Sequence, residues 1–326
     1  MKKNVVVSGY LYRLRPVCMQ DAKFIIDTRL EDAERNKYIH RISSSVEAQE
    51  EWIAAYLERD DDYYFVVENM ITGEAEGLIG IYDIENGAAE WGRWVIRKAS
   101  FAAVESVDLI YQAAFEYLGL DELYCRTLCL NEAVVSFHDS IGQKHGGILK
   151  DCFTIDGESY DAVKHFVDRQ YYFDTVQETL QSKAIRLFER SMKLALGEFA
   201  FHHIGVATKN MARELSTFRL LGYKKEDPYF EDENQGIGGQ FLVAKNQPRL
   251  ELLVNLPGSE TLTPILSQGG KLYHFGYTVG NFDKAMEVFG RFGARVMSAP
   301  KQSTYFGKRI SFLMLKNMFL VELMEK

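Results

Sequence analysis

Cysteine and proline are scarce in this sequence of 326 residues, which contains four cysteines and six prolines. The cysteines form no CxxC pair, which argues against a disulfide framework or a structural zinc knuckle and favours a reducing compartment. No apolar run approaches the roughly 18 residues of a membrane span, and the first ten residues lack the apolar core of a signal peptide. We therefore expect a cytoplasmic protein without a membrane partner.

A surplus of positive charge is also missing, because 46 Asp and Glu residues outnumber 38 Lys and Arg residues and give a net charge of −8. Nucleic-acid binders normally carry a basic surplus, so we expect small-molecule substrates and no nucleic-acid partner. The hydrophobic fraction of 47% is typical of a folded globular chain. The length suits two domains of ordinary size.

The second half of the chain contains an internal repeat with a constant offset of 71 residues. The pairs that share this offset are His203 and His274, Asn210 and Asn281, Phe218 and Phe289, Gly222 and Gly293, and Glu251 and Glu322. Each copy has the pattern of a strand, a helix that ends at glycine, and several further strands. The repeat predicts two βαβββ modules paired side by side in one domain.

Four of the repeated residues are potential metal ligands: His203 and His274 on the first strands, and Glu251 and Glu322 on the last strands. A pseudo-twofold axis between the modules would bring them together. Two imidazoles and two carboxylates suit Mn²⁺, Fe²⁺, Co²⁺, Ni²⁺ or Zn²⁺ better than Ca²⁺, and they leave positions for water or substrate. Strand alternation places the adjacent His202 on the opposite face. The pattern therefore predicts one divalent metal ion.

The strands around these ligands resemble the vicinal oxygen chelate superfamily, which includes glyoxalase I, methylmalonyl-CoA epimerase and extradiol dioxygenases. The resemblance covers residues 200–326 and fills all four ligand positions. It implies a metal that binds paired substrate oxygens and stabilises a developing enolate. Glu322, and after it Glu251, would move a proton next to a carbonyl, which favours isomerase, epimerase or lyase chemistry. A drug-binding resistance protein would need no such ligand set.

The first half shows no copy of this repeat and predicts a different α/β domain with a largely antiparallel sheet. Strands are expected at 12–16, 63–68, 77–84, 89–96, 123–128 and 161–168. Helices are expected at 22–30, 46–59, 104–118 and 132–141. The acidic run Asp60-Asp61-Asp62 is expected to be a solvated turn. A helix that connects the halves is expected at 174–198, with Asp174 as its N-cap and Gly197 at its end.

Segments 12–16, 91–94, 102–106 and 131–142 resemble the GNAT family of acetyl-CoA-dependent acetyltransferases, closest to the branch that acts on amino-sugar nucleotides. This resemblance covers residues 10–168 and implies acetyl-CoA as the cofactor. The backbone of Val95 and Ile96 would hold the thioester carbonyl, and Asn131 would contact the pantetheine. The pyrophosphate would bind at Arg97, Lys98, Phe101, Ala102, Ala103 and Val104. This loop lacks the glycines of the family pattern, and its two cations would offset phosphate charge.

Two residues are candidates for proton transfer in this half. His138 stands where the family commonly has a tyrosine that acts as general acid toward the leaving thiolate, and a hydrogen-bonded helix histidine is the alternative. Glu90 is a candidate acceptor of the ammonium proton, with an exposed strand carboxylate as the alternative. Arg29 and His40 lie where the branch shapes its acceptor pocket, and surface ion pairing is the other interpretation.

The predicted fold class is α/β (α+β) with two domains: a GNAT-like mixed sheet with helices, then paired βαβββ modules of the vicinal oxygen chelate fold. The predicted boundaries are 1–173, a connecting helix at 174–198, and 199–326. We expect a bifunctional enzyme, an N-acetyltransferase for an amino sugar or sugar nucleotide fused to a metal-dependent isomerase, epimerase or lyase. The alternatives are that only the metal domain is catalytic beside a degenerate binding module, or that the chain is a small-molecule binding or resistance protein. The sequence is also compatible with a homodimer.

Overall fold

The computed structural model describes residues 4–32, 38–39, 42–155 and 157–326. The chain divides into two compact units, residues 1–191 and 192–326. Each unit has its own sheet and its own helices, and each is described by itself. Among the described residues, no helix is both long enough and apolar enough to cross a membrane.

The first unit is built on an eight-stranded sheet with the order β1-β2-β3-β4-β5-β6-β8-β7. Its strands are β1 (Val7–Ser8), β2 (Tyr12–Pro16), β3 (Tyr63–Asn69), β4 (Ala75–Glu85), β5 (Ala88–Ile96), β6 (Glu122–Leu128), β7 (Lys144–Ile155) and β8 (Glu158–Asp168). All neighbouring strands run antiparallel except β5 and β6, which are parallel. The six expected strands are confirmed, and β1 and β7 are additions at the two edges of the sheet.

Four helices of the first unit follow the expected segments closely. They are α1 (Ala22–Leu30), α2 (Val46–Leu57), α3 (Ala103–Gln112), which continues as a π-helical turn (Ala113–Tyr117), and α4 (Glu132–Ser140). Helix α2 begins at Ser45, whose hydroxyl accepts a hydrogen bond from the Ala48 N–H, as an N-cap serine should. Helices α1 and α2 pack on β3 and β4 through a buried cluster that includes Ile25, Ile53 and Tyr64. This packing supports one face of the sheet.

The helical segment after β8 begins earlier than expected. It consists of α5 (Arg169–Tyr171), a π-helical turn (Tyr172–Val176) and α6 (Gln177–Leu196). The prediction of Asp174 as the N-cap is wrong, because Asp168 accepts a hydrogen bond from the Tyr171 N–H and caps the segment. Gly197 follows the helix at a φ of +70°, the left-handed conformation that ends helices readily.

The second unit has a nine-stranded sheet with the order β10-β12-β13-β9-β14-β17-β16-β15, with β11 paired to β12. Its strands are β9 (Phe199–Ala207), β10 (Lys224–Lys225), β11 (Phe230–Asp232), β12 (Ile237–Val243), β13 (Leu250–Asn255), β14 (Leu272–Val279), β15 (Arg295–Gln302), β16 (Arg309–Met314) and β17 (Leu320–Glu325). Its helices are α7 (Met211–Leu220), α8 (Thr263–Ser267) and α9 (Phe282–Arg291). The antiparallel pair β9 and β14 joins the two modules at the centre.

The repeated residues have matching structural roles in the two modules. Asn210 and Asn281 are the N-caps of α7 and α9, and each side chain accepts a hydrogen bond from the N–H three residues later. Gly222 and Gly293 follow these helices at φ angles of +86° and +88°. Strand β9 runs parallel to β13, as β14 does to β17. The paired βαβββ architecture is confirmed.

Candidate functional sites

Four adjacent central strands of the second unit carry the four predicted ligands. Glu251 lies on β13, His203 on β9, His274 on β14 and Glu322 on β17. All four residues are at most 3% exposed. One ligand atom from each residue lies within 4.8 Å of the ligand atoms of the others. The structure thus brings together the complete set that the repeat predicts, and we call it the His/Glu cluster.

The distances within the His/Glu cluster match those around a small divalent ion. The Nε2 atoms of His203 and His274 lie 2.8 Å apart. Oε2 of Glu251 is 3.1 Å from His203 Nε2 and 3.4 Å from His274 Nε2, and Oε2 of Glu322 is 3.4 Å from both nitrogens. Ligands at right angles around an ion bound at about 2.1 Å are about 3 Å apart. The donor atoms therefore fit a transition-metal ion.

Charge and hydrogen bonding in the His/Glu cluster are also consistent with a site for a divalent metal ion. Burial opposes the imidazolium form of His274, but Glu251 and Glu322 outweigh it and raise the His274 pKa to about 9. Burial likewise opposes the Glu251 carboxylate, yet His203 and His274 hold the pKa of that carboxyl well below its usual range. Oε2 of Glu322 is buried and accepts no aligned hydrogen bond. Two buried carboxylates require positive charge nearby, which a divalent ion supplies.

The expectation that His202 faces away from His203 is wrong. The register between β9 and β14 shifts by one residue between Gly276 and Tyr277, so β9 has a bulge at His202. The bulge turns the side chain toward the cluster, and its Nδ1 lies 2.8 Å from Nδ1 of His203. Burial, His203 and Arg249 together lower the His202 pKa to about 4. Sequence alternation could not reveal this contact, since a bulge interrupts the alternation.

Arg249 is a neighbour of the cluster that the sequence analysis missed. Its Nη1 donates a hydrogen bond to His202 Nε2 at 2.8 Å, and its guanidinium lies 3.8 Å from the centre of the Phe241 ring. Glu226 accepts from its Nε at 2.5 Å. Arg249 immediately precedes β13, and that position beside the ligand strand is the signal that could have identified it.

In the first unit, strands β5 and β6 pair over part of their length and then leave a cleft between them. Strands β5 and β6 pair only from Ala88 with Glu122 to Glu90 with Tyr124. Beyond that point β5 stays paired to β4 and β6 stays paired to β8, so only the edges that face each other are open. The backbone groups on these inner edges are left to a ligand or to water.

This cleft has a volume of about 1210 Å³, and several of the predicted residues line it. The predicted residues that line it are Glu90, Val95, Ile96, Ala103, Asn131 and His138. Arg97, Lys98, Phe101, Ala102 and Val104 belong to the loop and first turn of α3 and are not part of the lining. Phe101 is 60% exposed, and Ala102 is fully buried. The structure thus places the predicted thioester contacts in the cleft, whereas Ala103 is the one predicted pyrophosphate residue among its lining residues.

The prediction of Asp60-Asp61-Asp62 as a wholly solvated turn is wrong at Asp62, which is 4% exposed. Its two carboxylate oxygens accept hydrogen bonds of 2.6 and 3.0 Å from Arg93. Arg93 has a φ of +50° and lies at a register shift between β4 and β5. The side-chain pair therefore holds a bulge in the strand that forms one wall of the cleft.

The two predicted proton-transfer residues are both buried. Glu90 is 3% exposed, so the alternative of an exposed carboxylate is wrong. Burial raises the pKa of Glu90, while Arg126, whose Nε donates to it at 2.9 Å, works in the opposite direction. Burial and the neighbouring His165 lower the pKa of His138 to about 3. The neutral imidazole has a lone pair that accepts a proton, and its role as a proton donor stays a prediction.

The cleft is lined by more arginines than carboxylates. Arg29, Arg59, Arg93 and Arg126 contribute to the lining, whereas Glu90 is its only carboxylate among the described residues. His40, the other predicted acceptor contact, lies outside the described residues. The lining also includes the aromatic side chains of Trp52, Tyr64, Tyr82 and Phe153.

Family models match each unit separately. A model described as an acetyltransferase (GNAT) domain matches residues 12–144, and one described as the glyoxalase/bleomycin resistance protein/dioxygenase superfamily matches residues 202–312. The chain joins a GNAT acetyltransferase domain to a glyoxalase-superfamily domain. No curated protein sequence is significantly similar to it.

Solved structures similar to the GNAT domain include several acetyltransferases. One is apo FdhC, described as a nucleotide-linked sugar GNAT, with 26% identity, a TM-score of 0.46 and coverage of 55% of this chain and 98% of that chain. Another is a GCN5-related N-acetyltransferase from Brucella melitensis, with 20% identity, a TM-score of 0.49 and coverage of 55% and 85%. A mutant spermidine N-acetyltransferase SpeG from Vibrio cholerae has 19% identity, a TM-score of 0.45 and coverage of 51% and 98%.

Helix α3 of the GNAT domain begins beside the open edge of β5 and carries a buried acid in its first turn. The Glu105 carboxylate accepts hydrogen bonds from the backbone N–H groups of Tyr10 and Leu11, the latter at 3.0 Å. Burial raises the Glu105 pKa to about 7, and these hydrogen bonds oppose the shift only in part. Glu105 therefore attaches the N-terminal segment of the domain to the helix next to the cleft.

Proposed function

We propose that the chain is a bifunctional enzyme: an acetyl-CoA-dependent N-acetyltransferase fused to a metal-dependent isomerase, epimerase or lyase that acts next to a carbonyl. The observation that carries the proposal is the His/Glu cluster, because four buried ligand groups converge at metal-ligand distances. The boundaries that we propose are residues 1–173 for the acetyltransferase, 174–198 for the connecting helix and 199–326 for the metal domain.

The cleft between β5 and β6 supports acetyl-CoA binding in the first domain. Val95 and Ile96 lie where β5 no longer pairs with β6, so those of their backbone groups that face this open edge can bind the amides and thioester of an extended ligand. Asn131 is the N-cap residue of α4 at the opposite wall, and its side chain makes no capping hydrogen bond. These groups can orient a pantetheine arm from both sides.

Proton transfer in the cleft requires a group that accepts the proton of the attacking amine. His138 is neutral at pH 7 because its pKa is lowered to about 3, and its ring lines the cleft. Glu90 is close to Arg126, which stabilises its charged form. We assign proton acceptance to one of these two groups, either directly or through a water molecule.

The arginines of the cleft favour an acceptor with negative charge. Asp62 neutralises Arg93, and Glu90 neutralises Arg126. Arg59 also donates to Asp62 at 3.2 Å, and four arginines but only one carboxylate of the described residues line the cleft in a chain that is acidic overall. A phosphorylated amino sugar or a sugar nucleotide fits this balance better than a polyamine, since like charges repel in a cleft of low dielectric.

In the second domain His203, Glu251, His274 and Glu322 would hold one ion of Mn²⁺, Fe²⁺, Co²⁺, Ni²⁺ or Zn²⁺. When bound, the ion supplies Lewis-acid stabilisation of negative charge on substrate oxygens. Glu322 is the candidate for proton transfer, because its buried Oε2 lacks an aligned hydrogen bond. Glu251 is the second candidate. Both can hold a proton within the cluster.

Two measurements on the purified full-length chain test this function. Metal analysis after loading with each candidate ion should give about one ion per chain, and a chain that retains none contradicts the metal domain. Saturating acetyl-CoA should raise the melting temperature, because a ligand that binds only the folded state stabilises it. If melting is unchanged while metal binds, only the second domain is catalytic and the first is a degenerate binding module.

A further inference from the structure

Two glycines lie at the centre of the His/Glu cluster. Gly205 on β9 pairs with Glu251 on β13 at one side and with His274 on β14 at the other. Gly276 on β14 pairs with His203 on β9 and with Glu322 on β17. Each glycine therefore separates one carboxylate from one imidazole along a row of three neighbouring strands.

The spacing of strands explains why the middle position matters. Strands that are two apart in a sheet are separated by about 9.5 Å, which is twice the spacing of neighbours. Glu251 and His274 are separated in this way, and so are His203 and Glu322. Their side chains meet because each pair leans over a residue that has no side chain of its own.

The space above each glycine is filled by one imidazole ring. A β-carbon at Gly205 would lie 2.8 Å from His274 Nε2 and closer still to Nδ1 and Cε1 of the same ring. A β-carbon at Gly276 would lie 2.8 Å from His203 Nε2, again with Nδ1 and Cε1 closer. The pattern is the same in both modules, and an alanine methyl group at either position would displace the ring.

We propose that Gly205 and Gly276 are positioning residues of the metal site and that they act across the modules. Gly205 positions His274, and Gly276 positions His203, although each glycine follows the other histidine by two residues in the sequence. The inference rests on the proposed metal site. On this proposal the four ligands approach one another closely because the two glycines between them have no side chains.

The first test measures metal binding by calorimetry with Co²⁺ on the full-length chain. Gly205→Ala and Gly276→Ala should each weaken binding by about 10- to 100-fold, the range found when groups that orient metal ligands are removed. Gly290→Ala is the matched control, because beyond its chain neighbours and the backbone of its own helix nothing lies within 4 Å of a β-carbon at that position. Wild-type affinity in both glycine variants would overturn the proposal.

The second test uses the stability of the metal-free chain, so it does not depend on metal binding. Gly205→Ala should lower the melting temperature of the wild type, but it should cost nothing further in the His274→Ala variant, where the displaced ring is gone. In the His203→Ala variant the loss should persist. Gly276→Ala should likewise lower the melting temperature of the wild type and of the His274→Ala variant, but it should cost nothing further in the His203→Ala variant.

These outcomes separate the inference from the proposed function. If the wild type binds no divalent ion, the proposed metal site fails, while the stability measurements still decide the crossed pairing. If Gly205→Ala is equally harmful beside His203→Ala and beside His274→Ala, the crossed pairing is wrong. A glycine variant that keeps its melting temperature and its affinity for Co²⁺ contradicts the assignment in the same way.

Discussion

The His/Glu cluster and the cleft of the GNAT domain use strand pairing in opposite ways. The cluster lies on four adjacent strands, β13, β9, β14 and β17, which pair with one another at the ligand positions, and the ladders fix the height of each ligand. The cleft exists because β5 and β6 stop pairing after three residue pairs. One site is therefore defined by side chains on a continuous sheet, and the other by backbone groups that the sheet leaves free.

This difference determines how each site should respond to mutation. In the cluster the four charged or polar groups contact one another in a buried space, so the loss of one leaves the others without compensation. In the cleft the charged groups form separate small sets, such as Arg93 and Arg59 with Asp62, and Arg126 with Glu90. The loss of one pair should leave the remainder in place.

The largest effect is expected for His274→Ala. It removes one of four ligands from a fully buried site, so metal content should fall from about one ion per chain to near zero. Acetyl-CoA should still raise the melting temperature, because the cleft shares no residue with the cluster. Metal analysis and thermal melting of the same sample check both points. Loss of both properties in a folded variant would mean that the two sites are not separate.

His138→Phe is expected to slow acetylation by about 100-fold, the usual contribution of a positioned proton-transfer group. Metal content should not change. The exposed His145, whose ring contacts His165, provides the control, and His145→Phe should keep normal turnover. Release of free CoA thiol measures the rate. Unchanged turnover in His138→Phe would leave Glu90 as the only candidate of the two.

Asp62→Asn should lower the free energy of unfolding of the first unit by about 1–3 kcal/mol, because a buried charged acceptor of hydrogen bonds from both Arg93 and Arg59 is lost. The bulge at Arg93 should then loosen, which would reduce the melting shift caused by acetyl-CoA. Urea denaturation with and without acetyl-CoA measures both effects. Asp61→Asn is the matched control in the same turn. If both variants lose the same free energy of unfolding, the change in net charge causes the effect and the pair with Arg93 does not.

The smallest effect concerns Glu105 and pH. Its pKa is about 7 in the folded chain, against 4.5 for an ordinary glutamate, so the folded state holds the proton more tightly. The stabilising contribution is present below pH 4.5 and is lost as the pH rises through 7, by about 1–3 kcal/mol. Glu105→Gln should abolish this slope in urea denaturation between pH 4.5 and 7. The exposed Glu51→Gln should retain it.

The fold of the second unit and its ligand set could be predicted because one constant offset of 71 residues identifies both the equivalent elements and the equivalent ligands. Asn210 and Asn281 are recognisable as caps, and His203 and His274 as strand residues, from their immediate neighbours. Strand β7 was missed because it lies at the edge of the sheet and none of its residues is fully buried, which weakens its alternating pattern. Local pattern is thus enough for residues whose role is set within one element.

Features that depend on distant parts of the chain could not be predicted. The bulge that turns His202 toward His203 is defined by the pairing of β9 with β14, about 70 residues apart in sequence. The burial of Asp62 depends on Arg93, which is 31 residues away. The cleft is an absence of pairing between β5 and β6, and no residue type marks such an absence.

The bulges beside the two ligand histidines show how the duplication departs from symmetry. A second register shift makes Tyr273 the counterpart of His202 on β14, and the two residues also differ by the 71-residue offset. Two identical half-length chains could supply the same two histidines, two glutamates and two glycines as a symmetric dimer. Because both halves lie on one chain, they can diverge separately, which places an imidazole on one flank of the centre and a phenol on the other.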